Sequence, residues 1–129
     1  MSTITVTNIK ATGETASRSA TGVAAAWVLY DQESTGTATL NNSLNLSSIT
    51  DGGTGSATIN YTNAFSSIEY SPTTGCGTQL GLSNNVGMSL SPNRPDFTAS
   101  STFVNTRRRD TNANVDVRQA TLNVCGDLA

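Results

Sequence analysis

A glycine-rich turn between two short strand-like runs constrains the fold of this chain most. Residues 56–62 alternate, with Ala57, Ile59 and Tyr61 on one face, which is the period of a strand that buries one side. The Asp-Gly-Gly sequence at residues 51–53 supplies residues that tolerate positive φ, as hairpin loops require. The pattern therefore predicts an antiparallel hairpin centred on this turn.

Similar strand-like runs recur along the chain, and no window has the periodicity and caps of an amphipathic helix. Two prolines at residues 91–95 predict a break, because they cannot both join a central ladder. We predict strands at residues 24–30, 37–49, 56–62, 67–70, 78–82, 86–90, 98–105 and 115–124. This spacing predicts an all-β fold, an antiparallel sandwich, a jelly roll or a barrel.

The composition agrees with one β-rich domain. Ser, Thr and Asn supply 50 of the 129 residues, whereas the chain has only seven basic and nine acidic residues. The low charge and an apolar fraction of 36% favour a protein that buries its remaining apolar surface against copies of itself. A small monomeric β-sandwich is the alternative.

Two regions are expected. Residues 11–21 are small and polar, with little capacity to form a core, so we assign residues 1–21 to an N-terminal docking arm and linker. Residues 22–129 form the β-sandwich domain. The longest apolar stretch, residues 22–30, is too short to span a membrane, and the N-terminus lacks the features of a secretory signal.

The absence of histidine excludes most familiar catalytic centres. The chain has no histidine, which rules out Ser-His-Asp and Cys-His nucleophile arrangements. Its carboxylates are scattered, and two cysteines without histidine do not complete a usual zinc site. Asp51 can serve a calcium ion or a turn, and the following glycines favour the turn. We expect no enzyme activity, no cofactor and no metal site.

A formal net charge of −2 gives no general attraction to nucleic acid or anionic membranes. We expect neither as a partner. The one basic cluster is Arg107, Arg108 and Arg109. It either contacts an anion or an acidic partner, or places charges on an edge strand to block unwanted pairing.

The cysteines and aromatic residues are the remaining candidates. Cys76 and Cys125 either form a disulfide in an oxidising medium or remain two thiols. The aromatic residues Trp27, Tyr30, Tyr61 and Phe65 are predicted to anchor the core or a subunit interface. An aromatic ring that faces solvent would instead favour carbohydrate binding.

Three segments carry a family resemblance. They read Ala-Ala-Ala-Trp-Val-Leu-Tyr-Asp at residues 24–31, Leu-Ser-Ser-Ile-Thr-Asp-Gly-Gly-Thr-Gly at residues 46–55, and Ala-Thr-Ile-Asn-Tyr-Thr-Asn-Ala-Phe at residues 57–65. Together they resemble a module of tail-fibre-like virion proteins in tailed bacteriophages, especially those of marine bacteria and cyanobacteria. Two positions depart from the module: Ala25 replaces its usual lysine, and Leu29 replaces its usual asparagine.

The resemblance implies a non-enzymatic structural protein of the phage virion, made in the host cytoplasm and assembled as a homotrimer. It implies a short tail fibre or fibre tip involved in host attachment. A capsid decoration (cement) protein is the alternative, because 129 residues leave little length for a shaft. The implied partners are further copies of the chain, a tail or baseplate protein or the major capsid protein, and a host surface polysaccharide.

Overall fold

A computed structural model describes residues 8–9, 18–19, 24–33, 37–77, 86–90 and 97–129. Within these residues every regular element is a β-strand. The strands are β1 (Asn8–Ile9), β2 (Arg18–Ser19), β3 (Ala24–Asp31), β4 (Thr39–Leu44), β5 (Leu46–Asp51), β6 (Ser56–Tyr61), β7 (Ser71–Cys76), β8 (Val86–Leu90), β9 (Phe97–Thr98), β10 (Ser101–Arg108) and β11 (Ala120–Cys125).

The long strands form two antiparallel sheets. The first sheet has the order β5-β6-β10-β8, with β9 paired to β10, and the second has the order β4-β3-β11-β7. Strands β1 and β2 form a separate ladder of two residue pairs. The prediction of an all-β fold built from antiparallel sheets is confirmed, and the two sheets are arranged like a sandwich.

The core lies between the two sheets because strands β3, β6 and β11 bury alternate side chains. On β6 the predicted residues Ala57, Ile59 and Tyr61 are buried, while the intervening positions face outward. The same period applies to the two central strands of the second sheet, β3 and β11. The inward-facing apolar residues of the other central strands are Ala26, Val28 and Tyr30 on β3, Val104 on β10, and Ala120, Leu122 and Val124 on β11.

The predicted hairpin is present between β5 and β6. Asp51 Oδ1 accepts a hydrogen bond of 2.8 Å from the Gly53 N–H, so this carboxylate closes the turn. Gly53 and Gly55 have φ of 92° and 65°. A Cβ on Gly55 would lie 2.5 Å from the Thr106 carbonyl oxygen, so both the backbone conformation and the packing require glycine there.

The prediction of a single strand at residues 37–49 is wrong. Residues 37–49 divide into β4 and β5, which belong to different sheets. The chain bends at Asn45, which has a positive φ of 56°. Its side chain holds the bend, because Asn45 Oδ1 accepts a 2.8 Å hydrogen bond from the Asn63 N–H. Asparagine tolerates the left-handed conformation better than most residues, which explains the break.

Other strand boundaries also differ from the prediction. Residues 67 and 68 form a bend, residues 69 and 70 have no regular structure, and the strand begins only at residue 71. The Phe65 and Ser66 amides bond to the Ala99 and Asp127 carbonyls instead of a neighbouring strand. The predicted strand 98–105 is divided by a turn into β9 and β10, and β11 begins five residues later than expected, at Ala120.

The remaining predictions have mixed outcomes. Strands at residues 24–30 and 86–90 are confirmed as β3 and β8. The predicted strand at residues 78–82 and the break at residues 91–95 lie outside the described residues. Most of the proposed arm, residues 1–21, also lies outside them, apart from the β1–β2 ladder.

An aromatic cluster closes one end of the sandwich. The rings of Tyr61 and Phe65 meet edge to face at a centroid distance of 5.0 Å, and Phe65 and Tyr70 lie 4.6 Å apart. Thr102 Oγ1 lies 2.6 Å from the Tyr61 hydroxyl and 2.8 Å from the Tyr70 hydroxyl. This buried network satisfies the polar groups that the two tyrosines bring into the core.

Candidate functional site

The arginine cluster lies where β10 leaves the first sheet. Arg107 and Arg108 are half-buried at the end of the strand, and Arg109 is exposed in the following turn. The Arg109 Nε atom lies 3.3 Å from the position that a Cβ on Gly87 would occupy, so its side chain folds back over β8. Arg107 Nε is buried and has no hydrogen-bond partner among the described residues.

A tight turn of the chain follows this arginine cluster and fixes its position. The Arg108 N–H donates to the Ala113 carbonyl, and the Asn112 N–H donates back to the Arg108 carbonyl. Asn112 has a positive φ of 55°, which lets the chain turn. The Asp110 carboxylate accepts the neighbouring Thr111 N–H at 2.8 Å and thus supports the loop. Of the three guanidinium groups, that of Arg109 is exposed in the loop, where it can contact an anionic group.

Three of the four aromatic anchors lie in the core, and one does not. Tyr30, Tyr61 and Phe65 are buried. Trp27 is only partly buried and lies on β3 between the buried Ala26 and Val28, so its side chain faces away from the core. The alternation of β3 assigns Trp27 to the outer face, so of the two predicted roles, core or subunit interface, only the interface is compatible with its position. The prediction of a subunit interface is untested.

The cysteines are both free. Cys76 pairs with Ala120 at one end of the β7–β11 ladder, and Cys125 pairs with Ser71 at the other end. The two positions are five ladder steps apart, roughly 17 Å at the rise of a strand. Disulfides need Cα atoms closer than about 7 Å. This register excludes a disulfide within the chain unless β7 leaves β11.

Cys76 lies near two groups that affect its chemistry. Burial raises the pKa of the Cys76 thiol, and the Arg109 guanidinium opposes that rise. Burial also raises the pKa of Tyr30 well above its ordinary value of 10.0, and proximity to Cys76 raises it further. The Tyr30 hydroxyl is buried and has no hydrogen-bond partner among the described residues. Both groups are thus held in their neutral forms at neutral pH.

The outer face of the second sheet carries two rows of aligned residues, which we call the Trp27 face. One row consists of Trp27, Asn123 and Thr73, and the other of Leu29, Thr121 and Gly75. An open groove of about 540 Å³ begins at the second row. Its lining residues are uncharged: Leu29, Gly75, Cys76, Gly77, Gln119 and Thr121.

The sequence interpretation did not identify this face. The one available signal was the alternation in β3, because buried Ala26, Val28 and Tyr30 require Trp27 and Leu29 to face outward. The contributions of β7 and β11 depend on the pairing of strands that are distant in sequence. No local sequence pattern predicts the contributions of β7 and β11 to this face.

Two further observations concern the part of the chain that the structure describes. No group of three or more acidic, cysteine or histidine side chains there is arranged to hold a metal ion. The described residues also contain no helix with the length and apolar character to cross a membrane.

Comparisons with known proteins identify no relative of this chain. No protein-family model matches the chain, and neither the curated proteins nor the solved structures contain a significant match to it.

Proposed function

We propose that this chain is a non-enzymatic structural protein of a tailed-phage virion, specifically a short trimeric tail fibre or fibre tip involved in host attachment. The resemblance at residues 24–65 supports the virion assignment. Those residues supply β3, β4, β5 and β6, and therefore contribute to both sheets. The resembling segments are thus part of the architecture of the domain.

One observation carries the proposal of self-association: within the part of the chain that the structure describes, the second sheet ends in the edge strand β4, which no other strand covers. Strand β4 has the sequence TLNNSL, without a charge or a proline. Its Leu40 and Leu44 side chains are 43% and 49% exposed. Natural edge strands usually carry charges, prolines or covers that prevent pairing with other chains. An edge without these devices favours a chain whose copies cover one another.

A trimer would bury this edge and add core to a small domain. In this arrangement the N-terminal arm, residues 1–21, docks on a tail or baseplate protein, and the β-domain projects outward. The cluster of Arg107, Arg108 and Arg109 then serves as a contact for an acidic surface on a neighbouring virion protein or for a host polysaccharide.

A capsid decoration protein is the second candidate, and the proportions of the domain favour it. The described residues 24–33, 37–77 and 97–129 supply seven of the eight long strands of the two sheets, and no extended shaft occurs among the described residues. A compact trimer of this kind suits a position over neighbouring major capsid subunits. In that role the arm docks on the capsid rather than the tail.

Competition for adsorption separates the two candidates. Purified full-length chain is added to host cells before particles that carry it, and unadsorbed particles are counted. A fibre tip occupies the receptor and reduces adsorption, whereas a decoration protein leaves adsorption unchanged. The same assay with Arg107→Ser, Arg108→Ser and Arg109→Ser combined tests the cluster. Arg118→Ser, at an exposed site outside the cluster, is the matched control.

A further inference from the structure

We infer that Arg107 and Arg109 form one anion-binding site over Gly87, and that this site binds the oxyanion groups of an acidic polysaccharide. The inference rests on the proposed attachment function and names the ligand class of the arginine cluster. It also divides the cluster, because Arg108 does not belong to the site. We call Arg107, Arg109 and Gly87 together the Gly87 site.

Strand alternation separates Arg107 from Arg108. The side chains of Thr102, Val104 and Thr106 on β10 are fully buried, so the even-numbered positions of this strand face the core. Arg107 therefore points to the outer face of the first sheet, whereas Arg108 points to the side of Thr106. The two neighbouring guanidinium groups thus start from opposite sides of the sheet.

Gly87 brings Arg109 to the same face as Arg107. Gly87 lies directly opposite Arg107 in the β8–β10 ladder, and residues paired in this way direct their Cβ positions to one face of a sheet. The position that a Cβ on Gly87 would occupy lies 3.3 Å from Arg109 Nε. The Arg109 side chain therefore crosses β8 on the outer face, in the space that the glycine leaves open.

Arg107 is a partly desolvated cation. Its side chain is half-buried, and its Nε is buried without a hydrogen-bond partner among the described residues. The two acidic residues that follow in sequence serve the loops instead, because Asp110 Oδ1 accepts the Thr111 N–H and Asp116 Oδ1 accepts the Gly55 N–H. A cation removed from water costs stability unless it is paired, so an oxyanion beside Arg107 offsets that cost.

The surroundings of the site favour an acidic sugar over an acidic protein. Asn114 is exposed and pairs with Arg107 in an isolated bridge. Its Nδ2 donates to Ser56 Oγ at 3.4 Å, and its Oδ1 is an acceptor. An ionised Asp or Glu side chain only accepts hydrogen bonds, so it bonds to the guanidinium groups but not to this oxygen. An acidic sugar serves both, because its oxyanion accepts and its hydroxyl groups donate.

Local geometry rather than overall charge has to attract the anion. The formal net charge of −2 gives a polyanion no general attraction to this chain. A guanidinium group binds an oxyanion through two parallel hydrogen bonds, and two such groups on one face increase the local positive charge. Because Arg109 is exposed in the turn, the site is open to one unit of a long polymer.

Isothermal titration calorimetry of the full chain tests the inference. The acidic polysaccharides are polygalacturonate, which carries carboxylates, and dextran sulfate, which carries sulfates. Poly-aspartate of similar length represents an acidic protein, and dextran is the neutral control. We expect saturable binding of at least one acidic polysaccharide, weaker binding of poly-aspartate and no binding of dextran.

Serine variants with equal loss of charge separate the site from the charge. Arg107→Ser and Arg109→Ser should each weaken binding about tenfold, the effect of losing roughly 1.4 kcal/mol. Arg108→Ser removes the same charge at the next position in sequence and should change the affinity by less than about twofold, because an exposed charge outside the site is screened. Arg109→Ser, at an exposed position, keeps the test decisive if Arg107→Ser fails to fold.

Gly87→Val tests the geometry with all three arginines in place. The valine side chain fills the space beside Arg109 Nε and displaces that guanidinium, so binding should weaken about as much as in Arg109→Ser. Circular dichroism verifies that the strand content of each variant is intact. Equal weakening by Arg107→Ser, Arg108→Ser and Arg109→Ser, with no effect of Gly87→Val, would show that binding follows charge alone and would overturn the inference.

The thiol of Cys76 provides a second readout. Burial raises the pKa of this thiol, and the Arg109 guanidinium opposes that rise. An anion bound beside Arg109 cancels part of this opposition, so the binding polymer should slow the reaction of Cys76 with iodoacetamide and leave that of Cys125 unchanged. An unchanged rate for Cys76 at saturation would place the anion away from Arg109 and overturn the inference.

Two further results would also overturn it: no binding of either acidic polysaccharide, or tighter binding of poly-aspartate. The second would assign the site to an acidic surface of a neighbouring protein. These outcomes are separate from the proposed function. A chain found at the phage tail that binds no acidic polysaccharide contradicts only the inference, whereas a chain absent from the particle contradicts the proposed function.

Discussion

Replacing buried tyrosines by phenylalanine tests how much a buried hydroxyl group adds to or subtracts from the stability of this domain. Tyr30 and Tyr61 both belong to the buried core, and the substitution removes one oxygen from each. The Tyr30 hydroxyl has no hydrogen-bond partner among the described residues. The Tyr61 hydroxyl lies 2.6 Å from Thr102 Oγ1. The two substitutions are therefore expected to change stability in opposite directions.

The magnitudes follow from the cost of burying a polar group. An unsatisfied buried hydroxyl costs about 1–3 kcal/mol, so Tyr30→Phe should raise the free energy of unfolding by about 1 kcal/mol or more. A buried hydrogen bond contributes about 1 kcal/mol, so Tyr61→Phe should lower it by that amount. The variants should differ by about 2 kcal/mol, or roughly 8 °C in Tm for a domain of this size.

Urea unfolding, followed by the fluorescence of the sole tryptophan, measures the difference. The slope of free energy against urea should be equal in the two variants, so that the midpoints report stability alone. Tyr70→Phe is a further control, because its hydroxyl also contacts Thr102 and the variant should be destabilised. If Tyr30→Phe loses as much stability as Tyr61→Phe, the Tyr30 hydroxyl has a partner and the reasoning is refuted.

Three further predictions concern the turn, the tyrosines and the thiols. Gly55→Ala should lower the free energy of unfolding by more than about 2 kcal/mol, because Gly55 has a positive φ and an added Cβ would clash with the backbone. Gly53→Ala should lower it by only about 1 kcal/mol, because the space around Gly53 is open. Equal losses of stability in urea unfolding would contradict this. Burial raises the pKa of all three tyrosines above 10.0, so the unfolded chain loses these protons at lower pH than the folded one. The stability that these tyrosines contribute should therefore be fully present below pH 10 and fall as the pH rises above it. Tyrosinate absorbance should appear together with unfolding. A gradual rise of tyrosinate absorbance while the protein stays folded would contradict this. After air oxidation, the monomer should still contain two free thiols by mass and thiol titration, whereas a Cys76–Cys125 disulfide would contradict the β7–β11 register.

The elements that sequence predicts well depend on local patterns. Ala57, Ile59 and Tyr61 alternate within one strand, and the glycines before them favour a turn. Both features arise from the backbone and side-chain preferences of a few consecutive residues. The β5–β6 hairpin could therefore be predicted without knowledge of the rest of the chain.

The features that were not predicted from the sequence depend on distant partners or on a bend at a single residue. Residues 37–49 look like one strand, and only the left-handed Asn45 sends β5 to the other sheet. The separation of Cys76 from Cys125 depends on how β7 pairs with β11, which no local pattern encodes. The alternation within β3 is enough to place Trp27 on the outer face, but the sequence left its role open between the core and a subunit interface.

The position and copy number of the chain in a reconstruction of the intact particle test the central claim most directly. A tail fibre or fibre tip predicts a small number of trimers at the tail, each attached through residues 1–21. Trimers covering the local three-fold axes of the head would contradict the fibre and establish the decoration role. Absence of the chain from the particle would contradict the virion assignment itself.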